Sequence, residues 1–224
     1  KQNDRLVYAS VFPGDDILEI IKRYHAKAVI AAGALRKTTC KILRSLHIPV
    51  VVYHAKVPGL ACVLTDIQSG AAAACKTLVR YGHQKVGYIG VPSYNTAQTP
   101  LCGFRREWLK SGRDQTNLLV ESGDWTEQSG YHAAIRLIRA HVTAVFAISD
   151  SIAAGVMRAA RETGLSVPRE LSVIGCGYIS RPGAGGAALS SVYTDVGEMA
   201  NATLMLLQYQ RQTGSHHPVD VIVP

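Results

Sequence analysis

The 224 residues carry 47% hydrophobic and 18% charged side chains, a balance too apolar and too weakly charged for a disordered tail and sufficient for one large or two small packed domains. The formal charge is +8, which permits an anionic partner, but Lys and Arg are scattered in sequence, so no nucleic-acid-binding face can be read directly. The longest apolar runs, Ile48 to Tyr53 and Ala144 to Ile148, fall far short of the roughly 20 residues that span a bilayer.

In chain order, β-rich runs alternate with helical ones. The first residues lead straight into a strand-like Leu6–Ser10 with no apolar leader, so either the protein is cytosolic or the chain starts after processing. A helix at Asp16–Tyr24 and a strand at Ala28–Ala32 follow, then a helix at Thr38–Leu46 and strands at Val50–Tyr53 and Ala61–Leu64. Asp66 caps a helix over Ile67–Tyr81, whose Ala71, Ala74, Cys75 and Leu78 share one face, and Gly82 stops it. Next come a strand at Lys85–Gly90, helices at Gly103–Ser111 and Glu127–Ala140, and a strand at Ala144–Ile148. Asp150 reads as the N-cap of a helix over Ser151–Thr163, followed by a strand at Ser172–Gly175, a helix at Glu198–Gln212 and a strand at Val219–Val223. This rhythm predicts an α/β fold with parallel sheets covered by helices on both faces, and Val50-Val51-Val52 has the consecutive apolar residues of a strand buried on both sides.

Several candidate chemistries fall away. Five Cys with no Cys-x-x-Cys pair read as reduced thiols rather than a zinc or disulfide framework. The adjacent His216 and His217 lack further ligand spacing and read as exposed loop, so no metal and no cofactor is expected. The Gly-rich stretch Gly177 to Ala188 follows a strand but contains no Gly-x-Gly-x-x-Gly and reads as a loop beside a cleft. Ser149-Asp150 and eight His assemble into a triad only on paper, because there is no Gly-x-Ser-x-Gly elbow and no His-Glu-x-x-His helix. An enzyme is not the expected reading.

Taken together, Gly82-His83-Gln84-Lys85-Val86-Gly87-Tyr88-Ile89-Gly90, Gly103-Phe104-Arg105, Gly123-Asp124-Trp125 and Leu189-Ser190-Ser191-Val192 resemble segments of one known family. The most specific segment is Ser149-Asp150 through Ala154-Gly155 to Gly164-Leu165-Ser166-Val167-Pro168 and Ser172-Val173-Ile174-Gly175. In order and spacing these resemble the effector-binding core of LacI/GalR transcription regulators. The resemblance implies two flavodoxin-like subdomains joined by three crossover strands, of the periplasmic-binding-protein-like fold. The expected division is 1–66 plus 194–213 and 67–193 plus 214–224. It also implies a cytoplasmic homodimer, usually a repressor, that takes operator DNA only through a helix-turn-helix headpiece, of which this chain has none. A periplasmic sugar-binding receptor of a transport system shares the fold and is the competing reading; the unpaired Cys and the Val167 to Gly175 segment favour the regulator. Leu6–Ser10, Asp16–Tyr24 and Ala28–Ala32 align with the family's second strand, second helix and third strand. The first strand and helix therefore have no counterpart, and the chain is expected to be a fragment.

By the same resemblance the effector is contacted by His54, by Tyr94, Thr96 and Gln98 in a loop shared with Pro100, and by Trp125, Ser149, Asp150, Gly177 and Thr194. Trp125 matches an aromatic that stacks on the effector. Sugar-binding members commonly carry acids where His54 and Gly177 stand and an arginine where Pro100 stands. Their loss predicts an anionic ligand, a sugar acid or sugar phosphate, with His54 and also Lys56 as donors. Closure of two lobes on the effector would bias the attached DNA-binding heads.

Overall fold

The computed structural model describes residues 5–12, 14–33, 35–92, 100–177 and 189–224. They form two compact units, one of residues 1–65 and 195–223, the other of 66–194 with Pro224.

The first unit holds an all-parallel sheet of β1 (Val29–Ala32), β2 (Val50–Tyr53), β3 (Ala61–Thr65) and β9 (Asp220–Val223), paired in that order. Alternate side chains of β2 and β3 go to opposite faces. Val50, Val52 and Cys62 meet Cys40 and Leu43 of α2 (Lys37–Ser45), while Val51, Ala61 and Val63 meet Met199 of α7 (Val196–Thr213). The consecutive valines are therefore buried from both sides, as their run predicts. Because β9 pairs with β3, residues 214–223 cluster with the first unit, which differs from the expected grouping of 214–224 with the second.

A polar side chain closes this sheet where strand pairing stops. Gln210, 4% exposed on α7, accepts from the Val50 N–H at 2.8 Å and donates to the Val50 carbonyl at 3.2 Å, meeting both backbone groups just before β3 begins. At the opposite edge, β1 pairs on one side only, and the expected strand Leu6–Ser10 has no regular structure. Leu6 and Tyr8 are 86% and 89% exposed, since a parallel strand without a neighbouring ladder gains neither hydrogen bonds nor cover. The helix α1 (Ile17–Arg23), capped by Asp16, likewise buries none of its residues fully.

The second unit is a five-stranded parallel sheet, ordered β5 (Leu118–Ser122), β4 (Val86–Gly90), β6 (Ala144–Ala147), β7 (Ser172–Cys176), β8 (Ser190–Val192). One face is covered by α3 (Ile67–Arg80) and α4 (Pro100–Lys110), where Tyr88, Phe104 and Phe146 pack with ring centroids 5.4–5.7 Å apart. The other is covered by α5 (Glu127–Arg139) and α6 (Asp150–Glu162). These two helices approach so closely that a Cβ on Gly155 would lie 2.0 Å from the Glu127 carbonyl oxygen. The strands not anticipated, β5 and β8, are the two edges: β5, Leu-Leu-Val-Glu-Ser, buries only Leu118 and alternates half-buried with exposed positions beyond it, and β8 is only Ser-Ser-Val, so neither is covered as a central strand is. Pro100, expected in a loop, is the first residue of α4, where its missing N–H costs nothing. None of the five cysteines forms a disulfide, four being buried and Cys102 exposed, and among the described residues no helix is long and apolar enough to cross a membrane.

Replacing Gln210 by leucine should strand the Val50 N–H and carbonyl and cost about 2–4 kcal/mol. Hydrogen exchange should then quicken in the peptide spanning Val50 while peptides from β4 and β6 keep their protection; equal loss in both units would contradict this local role.

Candidate functional site

Strand order locates the first candidate surface. In the second unit the chain leaves β4 for β5 on one side and later returns to β6 on the other, so the loops after β4 and β6 diverge, and ligands of doubly wound sheets bind where that happens, outside the carboxyl ends of the strands. Beside these ends lies a cavity whose lining includes Gly90, Val91, Ser122 and Ile148.

The structure brings Trp125, Ser149, Asp150 and Gly177 to the carboxyl ends of β5, β6 and β7 in this unit. Trp125 sits between β5 and α5 with φ 73°, a left-handed backbone that a bulky side chain rarely adopts, and its residue is 41% exposed. The turn around it is tightly bonded. The Asp124 carboxylate accepts from the Thr126 hydroxyl at 2.5 Å and the Thr126 N–H at 3.1 Å, and these bonds with that of Ser129 hold its carboxyl below the usual range. Thr126 caps α5, and the Gly123 N–H donates to the Gly90 carbonyl at 2.7 Å, tying the loop to β4. A strained, exposed aromatic on a rigid turn is an arrangement suited to stacking on a flat ligand.

Asp150 has a different position from the one anticipated. Ser149 is the cap of α6, its hydroxyl accepting from the Ile152 N–H at 3.2 Å, and Asp150 is the first residue inside the helix. Its carboxylate, in a residue 6% exposed, accepts from the Ser191 hydroxyl at 2.7 Å. A Cβ on Gly175 would lie 2.2 Å from Asp150 Oδ1, so the glycine is what lets the carboxylate lie against β7. Asp150 thereby joins α6, β7 and β8. Gly177, at φ 128°, donates its N–H to the Val192 carbonyl at 3.0 Å and continues that junction. Half-buried Thr194 closes the unit after β8.

In the first unit, His54 follows β2 with φ 58°, its N–H donating to the Val63 carbonyl at 2.7 Å. Its Nδ1 is 3.4 Å from the Thr65 hydroxyl and its ring lies beside Tyr53, and this partial burial lowers its pKa from the ordinary 6.5. Lys56 is not a free donor: its ammonium lies 2.5 Å from Asp220 Oδ2, which raises its pKa. Tyr94, Thr96 and Gln98 lie outside the described residues, as does the Gly-rich stretch beyond Gly177. Two relevant residues escaped the sequence reading. Ser122 ends the edge strand β5, of which only Leu118 is buried, and Ser191 is recognisable as the holder of Asp150 only once β8 is beside β7.

His83 shows the structural alternative for a histidine. Its two ring nitrogens lie 2.8 Å from the Thr143 hydroxyl and 3.1 Å from the Ser172 hydroxyl, at the amino ends of β6 and β7, away from the candidate surface.

Residues 75–224 match the model of the periplasmic binding protein-like domain. The transcriptional regulator GalS of Salmonella typhimurium is 36% identical over 134 residues, 56% of this chain and 38% of its own length. The transcriptional repressor PurR of Salmonella paratyphi B is 36% identical over 135 residues, 58% of this chain and 40% of its own. The aligned part of this chain thus spans about two fifths of these curated relatives. Among solved structures, the regulator CelR in complex with cellobiose superposes with TM-score 0.79 at 25% identity, covering 92% of this chain and 66% of that one. A LacI-family regulator from Enterococcus faecium with bound ribose gives TM-score 0.81 at 21% identity over 97% of this chain and 83% of that one, a likeness of fold.

Both His54 and His83 have pKa values lowered by burial, so the unfolded chain takes up their protons first. Stability should be unaffected by these groups above about pH 6.5 and fall as pH drops below it. NMR titration should place both rings below 6.5, and His83→Gln should flatten part of the acid slope of a urea-denaturation series.

Proposed function

Because this chain belongs to the periplasmic binding protein-like domain family, we propose that it is the ligand-sensing core of a LacI-type transcription regulator, a homodimer of the cytoplasm. Its curated relatives are regulators of transcription and neither enzymes nor transport receptors. Operator binding belongs to a DNA-binding element outside residues 1–224. The effector is a small sugar-related molecule held at the carboxyl ends of the strands, and its different affinity for alternative arrangements of the domain biases operator binding.

The observation that carries this reading is Trp125, held in a left-handed conformation and exposed in the loop that follows β5, at the carboxyl end of the sheet. Trp125 stacks on the effector, and Ser149, Gly177 and Thr194 of the same unit supply polar contacts around it. Asp150 acts one step back, as the anchor of the loops after β6 and β7. The charge of the effector follows from two side chains. An anionic ligand was expected to use His54 and Lys56, but Lys56 is committed to Asp220 and burial keeps His54 neutral near pH 7. We therefore favour an uncharged, hydroxyl-bearing sugar over its acid or phosphate. The cellobiose and ribose complexes of the fold relatives support that ligand class.

A thermal-shift screen at pH 7.5 over ribose, cellobiose, ribose 5-phosphate and gluconate tests both parts. A neutral sugar at 100 times its dissociation constant should stabilise by about 2.7 kcal/mol. A shift from the phosphate or acid alone overturns the preference, and a strong shift from none of a wider sugar and purine panel overturns the sensing role. Trp125→Ala should weaken the best ligand by about tenfold, the worth of one aromatic stacking contact, without lowering the melting temperature of the free protein.

A further inference from the structure

Between Ile20 and Thr65 the chain carries eight Lys and Arg residues and no Asp or Glu. Two of those charges are answered within the first unit, Arg23 by Glu19 at 2.6 Å and Lys56 by Asp220 at 2.5 Å. The four on and before α2 are not: among the described residues no ion pair involves Arg36, Lys37, Lys41 or Arg44. Arg44 donates through Nε to the Pro58 carbonyl at 2.8 Å, which holds the side chain in place without neutralising it.

Helical spacing aligns these groups. Lys37, Lys41 and Arg44 recur at intervals of four and three residues on one face, spanning about 10.5 Å along the axis. All three are exposed, as are Thr38 and Ser45 beside them, whereas Cys40 and Leu43 are buried on the sheet side. The arrangement disfavours the helix itself. α2 has no acidic residue in its first turn, and Arg36 at its cap makes no side-chain capping bond, so two cations sit at the positive end of the helix dipole. Among the described residues no ion pair compensates. Lys22, which borders a groove with residues just past the end of α2, adds one further cation beside it.

We propose that the exposed face of α2 docks on the sugar-phosphate backbone of duplex DNA without reading its sequence. Phosphates recur about every 3.4 Å of axis on each strand, so the row of cations spans about three of them. Lysines act here as point charges for phosphate oxygens. The face has no aromatic or large apolar side chain, which the centre of a protein interface would need, and a row of cations suits phosphate contacts, which carry no sequence information. An acidic protein is thus the weaker fit. The contact is additional to effector sensing and does not depend on it.

The test is fluorescence anisotropy of the 224-residue chain with a 30-base-pair duplex of arbitrary sequence, without effector, from 50 to 200 mM KCl. Binding should be the same for an unrelated duplex, and log K should fall with log salt at a slope of about −3, from about 0.9 per phosphate engaged. The triple variant K37Q/K41Q/R44Q should lose about 0.9 of slope per cation and at least tenfold in affinity at 50 mM. K76Q/R80Q/K110Q, which removes the same charge from the second unit, should bind as the parent does. Circular dichroism melts of both variants check that each is folded. No binding by the parent at 50 mM, or equal loss in the two triples, overturns the proposal. Tighter binding of polyglutamate than of the duplex at equal charge assigns the face to an acidic protein and overturns it too.

Discussion

Parallel strands need a crossover for each new neighbour, and in both units most of those crossovers are helices that cover the faces of the sheet they have just left. From that one constraint comes the two-sided burial of Val50-Val51-Val52, the pairing of α2 with α7 across the first sheet, and of α3 and α4 with α5 and α6 across the second. It also sends every return loop to the same end. The carboxyl ends of β2, β5, β6 and β7 are where His54, Trp125, Ser149 and Gly177 stand, because a βαβ chain has nowhere else to put the turns that follow its strands.

At the margins of the sheets side chains take over where strand pairing no longer suffices, and the molecule shows three cases. Gln210 supplies one from a helix, satisfying Val50 with a side-chain amide. Asp150 and Ser191 supply another, joining the last two strands of the second sheet to α6 through a carboxylate that only Gly175 leaves room for. The segment before α1 has neither, and it stays exposed, with Leu6, Tyr8 and Phe12 among the most accessible apolar residues of the chain. Local pattern made Leu6–Ser10 look like a strand; without a neighbour to pair with, pattern is not enough.

Charge follows a similar logic of context. Lys56 and the lysines of α2 are indistinguishable in the sequence, each a cation without a nearby acid. Folding brings Asp220 to Lys56 from 164 residues away and brings nothing to Lys37 or Lys41. The positive charge of the chain is thereby divided into cations that staple the fold and cations that are left facing water.

The central strands, the covering helices and the cap at Asp66 could be read from the sequence, because apolar runs, 3.6-residue periods and capping side chains are local signals. The candidate site residues were implied by the family resemblance rather than by local pattern, and His54, Trp125, Ser149 and Gly177 stand just after their strands. Tertiary structure alone decided the edges β5 and β8, the placement of β9 beside β3, the passage of the capping role from Asp150 to Ser149, and which cations are paired. Those outcomes depend on which distant backbone or side chain becomes a neighbour, and a sequence records its own periodicity but not the partner that a strand edge, a carboxylate or an ammonium meets in space.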